Sequence, residues 1–230
     1  MYILQNALNL VYPQRCAACK ILLCDYEQGI CLKCFHALPF TQFHEQSNHE
    51  LFSVFQHHPE IQGVNAYLFF TAKGKVQKML HALKYGNRPL LGEQIGNWYA
   101  SDLKSSPDYP GKINFIVPVP IHTKRHRKRG YNQSLCFASG LSDILSLPIL
   151  KDLLIKKKYT ESQTFKSREE RRAATIHSIQ ISGPDRIIGK TVLLVDDVIT
   201  TGATLEACAH ILIQSGCHSI FISAIAYTRS

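Results

Sequence analysis

The chain has 230 residues, 45% of them hydrophobic and 19% charged, with a formal net charge of +9. That balance excludes a chain too polar to fold and supplies the apolar side chains of one ordinary domain plus a small accessory module. The charge excess favours anionic partners, nucleic acid or a phosphorylated metabolite, without choosing between them. No apolar run approaches the roughly 18 residues that a membrane-spanning helix needs.

Met1 to Tyr12 reads as a short amphipathic helix with Ile3, Leu4, Ala7, Leu8 and Val11 on one side. It lacks the basic start and small-residue cleavage site of a secretory signal, so a cytoplasmic location is expected. In that compartment the eight cysteines serve as metal ligands or core residues rather than disulfides. Cys16-Ala-Ala-Cys19 and Cys31-Leu-Lys-Cys34 are two Cys-x-x-Cys pairs with eleven residues between them. Each pair offers two corners of a tetrahedron. Cys16, Cys19, Cys31 and Cys34 are therefore the expected ligands of a closed structural Zn²⁺ site, with Cys24 and His36 as alternates. The competing reading, a redox dithiol, calls for a βαβ context that this region lacks. Residues 1–50 form a cysteine-rich zinc-binding module in this reading, with little core of its own and with metal supplying its folding energy. The polar stretch from Thr41 to Pro59 reads as a linker.

Beyond residue 60 the pattern changes. Ala66 to Phe70 is strand-like, and Val76, Met79, Leu80 and Leu83 recur at helical spacing. Ile113 to Val117 is an apolar run stopped by Pro118, which predicts a buried strand. Leu135, Ala138, Leu141 and Leu145 suit the helix that follows. Thr191 to Val195 is the clearest buried strand. Leu205, Cys208, Ala209, Leu212 and Ile213 make a helical stripe closed by Gly216, and Ser219 to Tyr227 is a last β-rich run. Strands joined by crossover helices predict an α/β domain over residues 60–230, with a mostly parallel sheet flanked by helices. Cys136, Cys208 and Cys217 fall on or beside apolar elements as packing residues. The histidines show no metal-like grouping.

Ligands of such sheets bind outside the carboxyl ends of the strands. The segment after Val195 belongs at that edge: Asp196 and Asp197, then Thr200, Thr201, Gly202, Ala203 and Thr204, then the helix. Small hydroxyl residues ahead of a helix expose backbone N–H groups, and the helix N-terminus adds positive potential, so the turn suits a phosphate. Gly202 permits close backbone approach. The two carboxylates can accept bonds from vicinal sugar hydroxyls, directly or through hydrated Mg²⁺. A helix cap or a solvated turn is the bland alternative. The whole string Val192-Leu-Leu-Val-Asp-Asp-Val-Ile-Thr-Thr-Gly-Ala-Thr204 resembles the ribose-phosphate signature of type I phosphoribosyltransferases.

After Pro118-Val-Pro120 comes a basic loop in which Lys124, Arg125, Arg127, Lys128 and Arg129 place five positive charges in six positions. Gly130, Tyr131 and Asn132 follow, with a helix starting there. At the carboxyl edge such a loop suits pyrophosphate, whose developing charge as a leaving group needs neutralising. A solvated run or a nucleic-acid patch is the alternative. The cysteine cluster, Leu83-Lys-Tyr-Gly86, Val117-Pro-Val-Pro120, Arg129-Gly-Tyr-Asn-Gln133 and Gln163-Thr-Phe-Lys-Ser-Arg-Glu-Glu-Arg171 together resemble the ComF family along almost the whole chain. Lys166 and Ala174 depart from that family's pattern of Leu and Asn.

The resemblance implies a type I phosphoribosyltransferase-like core behind the cysteine module. It implies 5-phosphoribosyl-1-pyrophosphate with Mg²⁺ as ligand, and Asp196 and Asp197 as the catalytic-site carboxylates. It further implies transfer of phosphoribosyl to a nitrogen acceptor with release of pyrophosphate. Family members are associated with DNA uptake during competence. The alternative is therefore a non-catalytic accessory factor that keeps the fold and meets single-stranded DNA or the uptake machinery. A glutamine-using amidotransferase is not expected, since Tyr2 follows Met1 where a nucleophilic cysteine is needed and no glutaminase-sized segment precedes the core.

Overall fold

The computed structural model describes residues 13–46, 49–106, 111, 113–156 and 178–229. The helix expected over Met1–Tyr12 and the segment Gln163–Arg171, with Lys166 and nearby Ala174, lie outside them. The described strands are β1 (Ile61–Phe69), β2 (Phe115–Pro118), β3 (Leu154–Lys156), β4 (Ile179–Ile181), β5 (Thr191–Ile199) and β6 (Ser219–Tyr227). Four of them form a parallel sheet in the order β1-β6-β5-β2, and β3 pairs antiparallel with β4. The helices are α1 (Leu32–His36), α2 (Glu50–Ser53), α3 (Lys75–Tyr85), α4 (Pro89–Lys104), α5 (Thr123–Arg129), α6 (Gln133–Leu145) and α7 (Ala203–Gln214). The expectation of a mostly parallel sheet flanked by helices is met.

Side chains of a strand alternate between faces, and both faces of this sheet are covered. Leu193 and Val195 face one core with Leu83 of α3, Ile95 of α4 and Phe137 of α6. Val192 and Leu194 face the other with Leu205, Cys208 and Leu212 of α7. The predicted stripe Val76, Met79, Leu80 and Leu83 is buried on α3, and Cys136, Cys208 and Cys217 are buried packing residues. Among the described residues no helix is long and apolar enough to cross a membrane.

Three features differ from the sequence expectations. The stretch from Thr41 to Pro59 is not a free linker. Phe43, Leu51 and Phe55 are buried with β1 and α7 in the second core, and the Thr41 N–H donates to the Tyr67 carbonyl at 3.0 Å. Its apolar residues are sparse, so composition hides them, but each finds a place on the sheet. The cysteine segment also shares a core. Cys16, Ala17, Ile30 and Cys34 lie in one apolar cluster with Leu91 and Ile95 of α4. A Cβ on Gly29 would come within 2.7 Å of Gln94 Oε1 and 2.9 Å of Leu91 Cδ1. Finally, the basic segment is not a loop but the helix α5, capped by His122, whose Nδ1 accepts the Lys124 N–H at 3.1 Å. Gly130 ends it with φ +82°, a left-handed conformation that glycine adopts without cost.

Helix α4, unmarked in the sequence reading, buries Leu91, Ile95, Tyr99 and Leu103. It crosses α6 with the two backbones in contact. A Cβ on Gly140 would lie 1.9 Å from the Glu93 carbonyl oxygen, and one on Gly96 would lie 2.4 Å from that of Phe137. In an open helix, replacing glycine by alanine gains about 1 kcal/mol. Here the added methyl must push two backbones apart, and overpacking costs about 1–3 kcal/mol. Gly140→Ala is therefore expected to lower the denaturation midpoint, with Gly96→Ala behaving alike. An unchanged or raised midpoint would contradict the close crossing.

Candidate functional site

Strand β5 outruns its neighbour. Pro118 of β2 pairs with Val195, and the Val119 N–H donates to the Val195 carbonyl at 2.9 Å. The described pairing with β2 ends there, while Asp196, Val198 and Ile199 stay paired with Ala224, Ala226 and Tyr227 of β6. The two acidic residues thus lie inside β5, not beyond its end as expected, and both are half-buried. Their location is still the carboxyl edge of the sheet, beside the end of an edge strand.

Each carboxylate has a partner there. Lys84, at the last turn of α3, places Nζ 2.6 Å from Asp197 Oδ2. The Ser134 hydroxyl, in the first turn of α6, donates to Asp196 Oδ1 at 2.9 Å, and the Asp197 N–H donates to the same oxygen at 2.7 Å. Burial raises the Asp196 carboxyl to about 7, and the adjacent Asp197 charge pushes the same way. The Asp197 N–H, the Ser134 hydroxyl and Lys84 oppose the rise but do not cancel it. Sequence reasoning missed Lys84 and Ser134 as partners of the acid pair. Lys84 was visible only within the string Leu83-Lys-Tyr-Gly86, and Ser134 only as the residue following Gln133.

The threonine turn follows. Thr200 and Thr201 are exposed, Ala203 and Thr204 are half-buried, and α7 begins at Ala203. Thr201 Oγ1 accepts the Ala203 N–H at 3.5 Å. Gly202 caps the helix at φ +76°, and a Cβ there would sit 2.9 Å from the Phe55 ring. Its lack of a side chain therefore serves contact with Phe55 as well as the turn. The N-terminus of a twelve-residue helix presents unsatisfied N–H groups and positive potential to the same edge.

The basic residues do not line one wall. Successive side chains on a helix turn by about 100°, so those of α5 radiate in all directions, and none is buried. Arg125 and Arg129 share a face, one turn apart. Arg129 is held toward the body of the protein: its Nη1 donates to Gln133 Oε1 at 2.8 Å and its guanidinium lies 5.2 Å from the centre of the Tyr85 ring. Lys124, Arg127 and Lys128 lie off that face and are exposed. Tyr131 and Asn132 are structural ties. The Tyr131 hydroxyl donates to the Leu83 carbonyl and accepts the Arg88 N–H at 3.0 Å. The Asn132 amide caps α6 through Oδ1 and donates to the Val119 carbonyl at 3.0 Å.

The cysteine cluster lies apart from this edge. The sulfurs of Cys16, Cys19, Cys31 and Cys34 all lie within 4.8 Å of one another, and those of Cys19 and Cys31 are 3.7 Å apart. With metal–sulfur bonds of about 2.3 Å, a tetrahedral site needs sulfurs at about this spacing. Burial raises the Cys16 thiol, but N–H donors from Cys19 and Cys31 outweigh it and bring the group down to about 7. The four cysteines are compatible with zinc. Cys24 is exposed and stands outside the group.

A family model described as a phosphoribosyl transferase domain matches residues 131–230. Competence protein F of Haemophilus influenzae is 33% identical over 112 residues, which cover 48% of this chain and 49% of that protein. The aligned stretch thus spans about half of that relative's length. DNA utilization protein YhgH of Escherichia coli O157:H7 is 24% identical over 233 residues, covering 95% of this chain and 99% of that protein. Among solved structures, the glutamine phosphoribosylpyrophosphate amidotransferase of B. subtilis is similar at a TM-score of 0.40 and 18% identity, covering 61% of this chain and 26% of that one.

The raised Asp196 carboxyl has a measurable consequence. A group whose folded value, about 7, exceeds its ordinary value of 3.8 contributes stability that is complete below the ordinary value and is lost as pH rises through the folded one. Asp196→Asn removes this dependence. The melting temperature of the variant minus that of the unliganded wild type should therefore climb between about pH 4 and pH 7, then level off. A flat difference would show that Asp196 is ionised at no cost, and one that falls with pH that the fold favours its ionised form; either contradicts the raised value.

Proposed function

We propose that this ComF-family, phosphoribosyltransferase-like protein binds 5-phosphoribosyl-1-pyrophosphate at the carboxyl edge of its sheet and transfers the phosphoribosyl group to a nitrogen acceptor, releasing pyrophosphate. The observation that carries the reading is the juxtaposition of Asp196 and Asp197 with the Thr200–Thr204 turn at the start of α7. One short stretch of chain offers acceptors for a ribose diol and N–H donors for a phosphate. Asp196 and Asp197 hold the ribose hydroxyls. Thr200, Thr201, Gly202, Ala203 and Thr204 hold the 5-phosphate through backbone N–H groups and hydroxyls. Arg125 and Arg129, on the face of α5 turned toward Tyr85, neutralise the departing pyrophosphate, while Tyr131 and Asn132 set the position of that helix. Mg²⁺ would enter with the ligand and supply charge neutralisation between the pyrophosphate and the ribose hydroxyls. The reaction asks the site to stabilise positive character at the anomeric carbon and negative charge on the leaving group. Adjacent carboxylates and a basic helix meet those two demands.

The same reading assigns a structural Zn²⁺ to Cys16, Cys19, Cys31 and Cys34. A second reading, a nucleic-acid accessory factor without catalysis, draws on the net charge of +9 and on the names of the relatives. In either case the cysteine segment packs on the α/β core through its shared contacts with α4.

Calorimetric titration with phosphoribosyl pyrophosphate and Mg²⁺ tests the first reading. Asp196→Asn and Asp197→Asn should each weaken binding about ten- to hundredfold, since a charge-assisted hydrogen bond contributes on the order of 1.5–3 kcal/mol. Thr201→Val should weaken ribose 5-phosphate as much as the full ligand. No Mg²⁺-dependent binding at millimolar ligand would transfer first place to the accessory-factor reading.

Metal analysis of reduced protein should find about one Zn²⁺ per chain, as four thiolates around one ion require. Chelation should lower the melting temperature of the whole chain, because Leu91 and Ile95 of α4 lose their cover. Zinc-free protein that melts as before would refute the assignment.

A further inference from the structure

Lys84 links the two halves of the candidate site. Its Nζ lies 2.6 Å from Asp197 Oδ2, and the two side chains are only 25% and 16% exposed. Its backbone is tied to the opposite wall. On one side of it the Leu83 carbonyl accepts the Tyr131 hydroxyl, and on the other the Tyr85 ring lies under Arg129. Arg129 ends the basic helix α5, and Tyr131 follows two residues later. Leu83 is fully buried, and the Gly86 N–H donates to the Ala82 carbonyl at 2.8 Å. The stem of Lys84 thus starts from a fixed point beside α5, while its charge rests on the acid pair.

Asp197 Oδ2 is therefore occupied in the unliganded site. A ribose hydroxyl that takes the place of the ammonium offers only a neutral donor. In a largely buried position that exchange is unfavourable. The carboxylate loses a charge-assisted bond, and the ammonium is left without a counter-charge. The cost is offset when the ligand brings anionic oxygens within reach of the displaced ammonium. Lysine suits such an exchange, because its point charge on a flexible four-carbon stem can change partner without moving the backbone. In ribose 5-phosphate the one phosphate is the group assigned to the Thr200–Thr204 turn. 5-Phosphoribosyl-1-pyrophosphate carries a second anionic group, on the carbon next to the 2-hydroxyl. Its assigned place is beside Arg125 and Arg129, where the Lys84 stem begins.

We propose that Lys84 determines the specificity of this site. Its ammonium closes Asp197 to a ribose diol until a pyrophosphate on the same ligand takes the ammonium in exchange, so the site selects 5-phosphoribosyl-1-pyrophosphate over ribose 5-phosphate. The inference rests on the phosphoribosyl pyrophosphate reading above and adds to it a residue that discriminates between ligands sharing the diol and the 5-phosphate.

Calorimetric titration of the full chain with phosphoribosyl pyrophosphate and with ribose 5-phosphate, each with Mg²⁺, tests the proposal. Wild type should prefer the pyrophosphate. Lys84→Met should bind phosphoribosyl pyrophosphate about ten- to hundredfold more weakly, through loss of one charge-assisted contact. The same variant should bind ribose 5-phosphate at least as well as wild type does, so the ratio of the two affinities falls at least about tenfold. Lys84→Gln keeps a hydrogen-bond donor near Asp197 without the charge. It should lower the ratio in the same way, and it replaces Lys84→Met if that variant does not fold. Lys84→Arg keeps the charge and should restore the preference. A lysine that only shapes the site would weaken both ligands alike. A ratio unchanged in Lys84→Met and Lys84→Gln therefore overturns the proposal and leaves the phosphoribosyl pyrophosphate reading standing. A wild type that binds the two ligands equally overturns it as well. Wild type that binds neither ligand refutes the reading itself, and the proposal with it.

Discussion

The close crossing of α4 and α6 is the constraint on which the rest of the molecule depends. At Gly96 and Gly140 the backbones touch, and no other residue type fits without moving one of them. The crossing fixes where α6 begins, and α6 begins at the functional edge. Its cap residue Asn132 bonds the end of β2, and Ser134 in its first turn bonds Asp196. On its far side α4 receives the cysteine segment, which packs Gly29 against Leu91 and Gln94. One helix pair thus relates a metal-ready cluster to an acid pair that lies elsewhere in the fold.

At the edge itself, electrostatics limits what the apoprotein can do. Two adjacent carboxylates beside a low-dielectric core cannot both be ionised and unpaired. Asp197 is balanced by Lys84, and Asp196 is held near neutrality by burial and by its neighbour. A ligand with a ribose diol offers hydroxyl donors to both. Under the proposed function its phosphates would meet the α7 N-terminus and α5, matching the opposite charges of ligand and site. A helix with no buried face directs its cations outward as well as inward.

Much of this was legible in the sequence, for local reasons. The run Thr191–Val195 could be little else than a buried strand, and Asp196 through Thr204 had a pattern with few structural uses. Two Cys-x-x-Cys pairs at short spacing define a metal-ready set without knowledge of the fold. What was misread had weak local signals. Thr41–Pro59 looked like a linker because Phe43, Leu51 and Phe55 are isolated among polar residues, and only the sheet makes them a packed face. The basic segment looked like a loop because it has no apolar stripe, and it has none because α5 buries nothing. Gly202 was credited to ligand approach, while Phe55, distant in sequence, also requires it.

By itself, then, the sequence determined the alternation of strands and helices, the four-cysteine set and the acid-threonine turn. Each of these follows from side-chain periodicity or spacing within a few residues. Only the tertiary structure decided the partners. That Lys84 neutralises Asp197, that Ser134 holds Asp196, and that Arg129 leans on Tyr85 are contacts between residues 44 to 113 positions apart. No local pattern encodes such pairs. They exist because parallel strands need crossover helices, and the packing of those helices on the sheet chooses which side chains meet at its carboxyl edge.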